Sequence, residues 1–262
     1  MRRVLPLLIL AAAIPAWAVI QDALTLKLNV PAGTEVKRRV TIDQEIAFGG
    51  QNINAKVSMD SLLVFGEKSE KGQKVTMSYS NLKAESDQPG IEEAMSGMAN
   101  AKLDFEVGEN ASILSAKAEG EAAAMASQMA ATQSGLMGVL LPTTPVKVGD
   151  KWSIKVDPKA AVPANSEMTI KAEPFNVEHE LMAFEDVDGK PHAKIKVTSK
   201  SDSVTEMQGM EIANSTKTST MVWVDVATGL VTKSDGTVET SGSMSFGDIK
   251  TTMRMRMDPI KG

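Results

Sequence analysis

Residues 222–236 read VWVDVATGLVTKSDG. Val222, Val224 and Val226 alternate with Trp223 and Asp225, and Asp225 to Gly229 (DVATG) separates VWV from LVTKS. A period of two belongs to a strand with one dry and one wet face. Asp and Gly supply the local side-chain bond and the positive φ that a chain reversal needs. The stretch therefore predicts strand, turn, strand.

The same pattern runs through most of the chain. Val75, Met77 and Tyr79 alternate with Lys74, Thr76 and Ser78. Leu103, Phe105 and Val107 form a second such set, Trp152, Ile154 and Val156 a third, and Ala193, Ile195 and Val197 a fourth. Met253, Met255 and Met257 alternate with Arg254 and Arg256. In residues 35–43 (EVKRRVTID), Val36, Val40 and Ile42 share a face, and Arg38 breaks it. Turn residues fall between runs, at EKSEKG (67–72) and at Asp186-Val187-Asp188-Gly189. This is the signature of antiparallel sheet with one buried face. The expected fold is mostly β, an antiparallel curved sheet or open barrel.

Two segments depart from that pattern. Residues 91–101 (IEEAMSGMANA) suggest a short helix. Residues 118–141 are rich in Ala, Met, Glu and Gln, which favour helix. Met125, Met129, Thr132 and Leu136 would line one helical face, and Pro142 follows. A long Ala/Met-rich helix packed on the sheet is expected there. On either side of it, FEVGENASIL (105–114) and VWVDVATGLV (222–231) echo one another. The mature chain, 19–262, reads as a single β-rich domain. Two similar halves, 19–117 and 146–262, would explain the echo; so would the monotony of antiparallel strands.

Arg2 and Arg3, the apolar run from Val4 to Ile14, Pro15 and Ala16-Trp17-Ala18 read as a secretory signal peptide spanning 1–18. The run is too short for a membrane span, which needs about 20 residues. The expected location is exported, periplasmic or extracellular, and soluble. The chain has no cysteine. Disulfides, thiolate metal sites and a bacterial-type lipid anchor are therefore not expected. The formal charge is −5, and loss of Arg2 and Arg3 makes it −7, two positive charges fewer. An acidic chain without a basic stripe is not expected to bind nucleic acid.

No group of residues reads as catalytic. His179, in Glu178-His179-Glu180, and His192 read as surface histidines on charged strands. Asp186 and Asp188 lack the further ligands of a calcium loop and read as turn residues. Thioethers bind copper(I), but successive positions on one strand face lie about 7 Å apart. The methionines therefore read as apolar packing, either an ordinary core or a soft wall facing a groove. No metal or cofactor is expected.

Residues 146–155, VKVGDKWSIK, carry Val146, Val148, Gly149, Asp150 and Trp152 in the order V-x-V-G-D-x-W. This phrase resembles one in uncharacterised exported bacterial β-rich proteins. The expected order of strands with a helix on one side is also similar to that of periplasmic half-barrel lipoprotein carriers. That likeness is architectural and carries over no binding residue. The function expected is that of a non-enzymatic cell-envelope protein binding an apolar ligand, a lipid or an exposed protein segment. Met125, Met129, Met253, Met255 and Met257 would line the site. The alternatives are an assembly protein of the cell surface acting through strand edges and, less favoured, a carboxylate-based envelope hydrolase.

Overall fold

The computed structural model describes residues 23–87, 101–118, 138–158, 168–207, 210–244 and 247–260. The expected signal peptide, Met125 and Met129, and the segment 91–100 lie outside the described residues. Twelve strands follow one another: β1 (Glu35–Phe48), β2 (Gln51–Lys68), β3 (Gln73–Ser86), β4 (Lys102–Val107), β5 (Ile113–Ala118), β6 (Lys151–Val156), β7 (Met168–Ala172), β8 (Phe175–Val187), β9 (Lys190–Met207), β10 (Met210–Asp225), β11 (Val231–Met244) and β12 (Gly247–Pro259). They form one antiparallel sheet in the order β5-β4-β3-β2-β1-β12-β11-β10-β9-β8-β6, with β7 pairing β9 beyond β8.

The expected long helix is corrected by this architecture. Among the described residues no α-helix occurs. Of the span 118–141, Ala118 closes strand β5 opposite Leu103. Residues 139–141 are not helical, and the Leu141 amide donates to the Asn110 carbonyl. Residues 119–137 lie outside the described residues. Composition is a weak prior that a strand ladder overrides. At Ala118 the ladder to β4 decides the conformation.

The sheet curls strongly. Five strand intervals separate β4 from β11, about 24 Å in a flat sheet at about 4.8 Å each. Yet the amide of Leu28 donates to the Glu109 carbonyl, in the turn after β4, and that of Asn29 to the Thr228 carbonyl, in the turn before β11. Two adjacent residues thus bridge the two wings. The segment 24–30, LTLKLNV, lies between them, also bonded to Val146 through Leu24. Leu26, Leu28 and Val30 are buried. Around them, the inward faces of both wings, among them Leu63, Phe65, Phe105, Leu181, Ile195 and Val224, make one core.

Two bulges hold the apolar residues on that inward face. In β3 an irregularity opposite Ser58–Asp60 contains Asn81, whose φ is 52°. The extra residue keeps Tyr79 and Ala84 on one side, although five positions separate them. In β8 a second bulge keeps Leu181 and Phe184 inward and turns Met182 out. The predicted turns at 186–189 and 225–229 form as Asx-stabilised reversals. Asp186 accepts from the Gly189 amide at 2.8 Å, and Asp225 accepts from the Ala227 and Thr228 amides.

Candidate functional site

The central strands outrun the core. β1 has 14 residues and β2 has 18, whereas β4 and β5 have six each. Register places Val40 opposite both Met59 and Met257, Ile42 opposite Val57 and Met255, and Gln44 opposite Ala55 and Met253. These side chains therefore share the face that carries the core. Met257 belongs to the main core at 3% exposure, while Met255, two residues further out, is 39% exposed. Beside them Val57, Met59 and Ala84 form a second buried cluster, with Val40, Ile42, Tyr79 and Leu82 half-buried against it. Further along the same face lie Ile46, Phe48, Ile53 and Ile249, all half-buried. Of the five residues expected to line a site, Met253, Met255 and Met257 thus stand on one face of β12.

Arg38 sits at the inner end of this strip. Alternation puts it on the same face as Val36 and Val40, and it is fully buried. Its Nη1 lies 3.8 Å from the Met257 sulfur, a weak acceptor. Its Nε and Nη2 have no hydrogen-bond partner, and neither does the hydroxyl of Ser61, the residue opposite it on β2. No carboxylate among the described residues pairs with Arg38. Burial alone pulls the guanidinium down to about 9. Next to Ser61 on β3 stands Tyr79, whose phenol burial pushes above its ordinary value. The neighbouring Arg39, on the opposite face, is treated quite differently. It holds Asp60 through two hydrogen bonds, of 2.8 and 3.2 Å, and Asn81 donates to the same carboxylate.

The two histidines are buried, not superficial. His179 shares the inward face with Leu181 and is 1% exposed; His192 is 3% exposed. The V-x-V-G-D-x-W phrase builds the surroundings of His179. Gly149 and Asp150 make the turn, the Lys147 amide donates to the Asp150 carboxylate, and Trp152 stacks on His179 with ring centres 5.3 Å apart. Trp152 Nε1 donates to the Leu140 carbonyl at 2.9 Å, and the Leu140 amide points to His179 Nε2 at 3.5 Å. Burial pushes this imidazole below its ordinary value. The unfolded chain therefore takes up the proton first as pH falls, and stability is lost as the pH drops through about 6.5 toward the lower folded value. We expect His179→Gln to lose less melting temperature than the wild type between pH 7.5 and pH 5, by about 2 °C or more. Parallel losses in the two proteins would remove His179 as the source.

The opposite face is charged and internally paired. Glu185 accepts from Lys194 at 2.8 Å and from Trp223 Nε1 at 2.9 Å, and both contacts hold its carboxyl below the usual range. A surface depression of about 1100 Å³ crosses the far end of the sheet from Lys171 to Lys250. Several of its ionic groups are already engaged: Lys171 with Glu206 and Glu211, Asp202 with Lys200, and Asp248 with Ser243. The buried polar atoms without a partner lie elsewhere, on Arg38 and Ser61 at the inner end of the methionine strip, on the two histidines and on Gln73.

No family model matches the chain, and no curated protein does. Among solved structures it is similar to lipovitellin, described for its lipid–protein interactions, with a TM-score of 0.49 at 8% identity over 88% of this chain. The chain spans 25% of lipovitellin's length. It is also similar to DynF of the dynemicin biosynthesis pathway of Micromonospora chersina, with a TM-score of 0.27 at 8% identity, covering all of this chain and 94% of that one. A DUF1329 family protein from Desulfovibrio piger gives a TM-score of 0.21 at 9% identity, over 87% of this chain and 88% of the other.

Proposed function

We propose that this protein is a non-enzymatic binding protein of the cell envelope, and that it holds a lipid chain on the apolar face of β1, β2 and β12. The observation that carries the reading is the strip running outward from the core, from Met257 and Val40 past Met255, Ile42 and Val57 to Phe48. Apolar surface left beyond a closed core marks a binding surface more often than chance packing. Methionine suits such a surface because its thioether stem rearranges around flexible ligands. From Val40 to Phe48 the strand runs eight residues, roughly 26 Å at strand rise. One leaflet of a bilayer is about 15 Å deep in hydrocarbon, so the strip is long enough for an acyl chain.

A long-chain polyene alcohol that fluoresces only in apolar surroundings tests this directly. The full-length mature protein is expected to bind it saturably. Met255→Glu places a charge in the middle of the strip and is expected to weaken binding at least about tenfold, because an unpaired charge against hydrocarbon is strongly unfavourable. Met255 is partly exposed, so the fold itself is expected to tolerate the change within about 0.5 kcal/mol. Absence of saturable binding by the wild type would end the reading.

A further inference from the structure

We propose that Arg38, together with the Ser61 hydroxyl, receives the headgroup of an acidic single-chain amphiphile whose tail lies along the methionine strip. This rests on the lipid-chain reading above and adds the ligand's charge and orientation. The argument begins with what a buried guanidinium requires. It has five N–H donors in a planar fork and stays charged at neutral pH. In this protein one donor meets a thioether, and the buried Nε and Nη2 meet nothing. Buried charges are normally paired, and lone ones are selected against by desolvation. Arg39, one residue away, is paired with Asp60, whereas no acid among the described residues reaches Arg38.

The missing partner has a definite shape. A carboxylate or a phosphate monoester offers two oxygens in the spacing of the fork. Ser61 stands directly across from Arg38 on the same face, and its hydroxyl, also buried and unsatisfied, supplies a further donor. All the unsatisfied atoms at this end of the strip are donors or donor-capable. None of them suits a cationic head. The surroundings define the rest of the molecule. Val36, Val40 and Met257 make this face apolar beside the guanidinium. A ligand carrying the anion must therefore continue as hydrocarbon. The side chains that part to admit it are Met257 and then the exposed Met255, the two most deformable groups on the strip.

The test compares matched ligands on the intact mature protein. A long-chain polyene fatty acid and its primary alcohol differ only in the head. The wild type is expected to bind the acid roughly ten- to a hundredfold more tightly than the alcohol. Arg38→Met is expected to bring the two within about twofold of each other. Arg38→Lys is expected to keep a reduced preference for the acid, because it retains the charge and loses the fork. Acetate and inorganic phosphate, at concentrations well above that of the fatty acid, are expected not to displace it. Equal binding of acid and alcohol by the wild type would overturn this proposal and leave the lipid-chain reading standing. So would an undiminished acid preference in Arg38→Met, or displacement by inorganic phosphate alone. Failure of both ligands to bind would overturn the underlying reading and this one with it.

Discussion

Replacing Arg38 with methionine is expected to make the ligand-free protein more stable, the reverse of what most core substitutions do. Methionine matches the length of the arginine stem and meets Val36, Val40 and Met257 with apolar atoms. It also removes a charge that the fold buries without compensation. Swaps of buried ionic groups for apolar ones of similar volume stabilise by about 1–4 kcal/mol where the geometry fits. For a chain of this size that is about 2–4 °C in melting temperature per kcal/mol. The pH dependence gives an independent signature. Burial pulls the folded guanidinium down to about 9, well below its value when exposed. At neutral pH both states carry the charge, and the folded state bears the whole desolvation penalty. Above about 9 the folded state sheds the proton while the unfolded chain keeps it, so wild-type stability gains on that of Arg38→Met as pH rises. Urea midpoints of the two proteins at pH 7 and pH 10 measure both effects. A variant less stable than the wild type by more than about 1 kcal/mol would mean that Arg38 has a stabilising partner after all.

Gly229→Val is expected to produce the largest loss. Gly229 has a φ of 66°, where a β-branched residue is strained. A side-chain carbon at this position would stand 2.1 Å from the Lys27 carbonyl oxygen and 2.7 Å from the Leu28 nitrogen. These are backbone atoms and cannot rotate aside, so the segment 24–30 must leave. With it go the burial of Leu26, Leu28 and Val30, the bonds to Glu109 and Thr228, and the bond from Gln73 Nε2 to the Val30 carbonyl. Each apolar side chain contributes about 1.5–3 kcal/mol when fully buried. Partial re-covering reduces the sum, and we expect a loss of at least about 3 kcal/mol. Limited proteolysis is expected to cut within 24–30 in the variant and not in the wild type. Stability within about 1 kcal/mol of wild type would show that the segment does not hold the wings together.

Alternation made the sheet legible in the sequence, since a period of two leaves little choice once one face is dry. Turn residues marked the reversals at 186–189 and 225–229. The Ala/Met-rich composition misled at Ala118, because propensity does not see that this residue has Leu103 to pair with. The bulges at Asn81 and Met182 were invisible for a related reason: each shifts the face by one residue, and only the partner strand decides where. The histidines were misjudged from the glutamates beside His179. The better signal was Val177 and Leu181, two positions either side, which share its face. The run LTLKLNV alternates as cleanly as any strand, and its burial could have been read. Arg38 stood out as a break in an apolar face. Its lack of an acidic partner among the described residues could not be read, because partnership is a matter of three-dimensional neighbours.

The bridging of both wings by Leu28 and Asn29 also bears on the order of assembly. A chain that emerges amino end first exposes its buckle long before the second tongue, at Thr228, has been made. About two hundred residues must gather before the fastening can close, and closure over such a span is slow. Until then three greasy side chains stay uncovered on the growing polypeptide, open to association with other apolar surfaces.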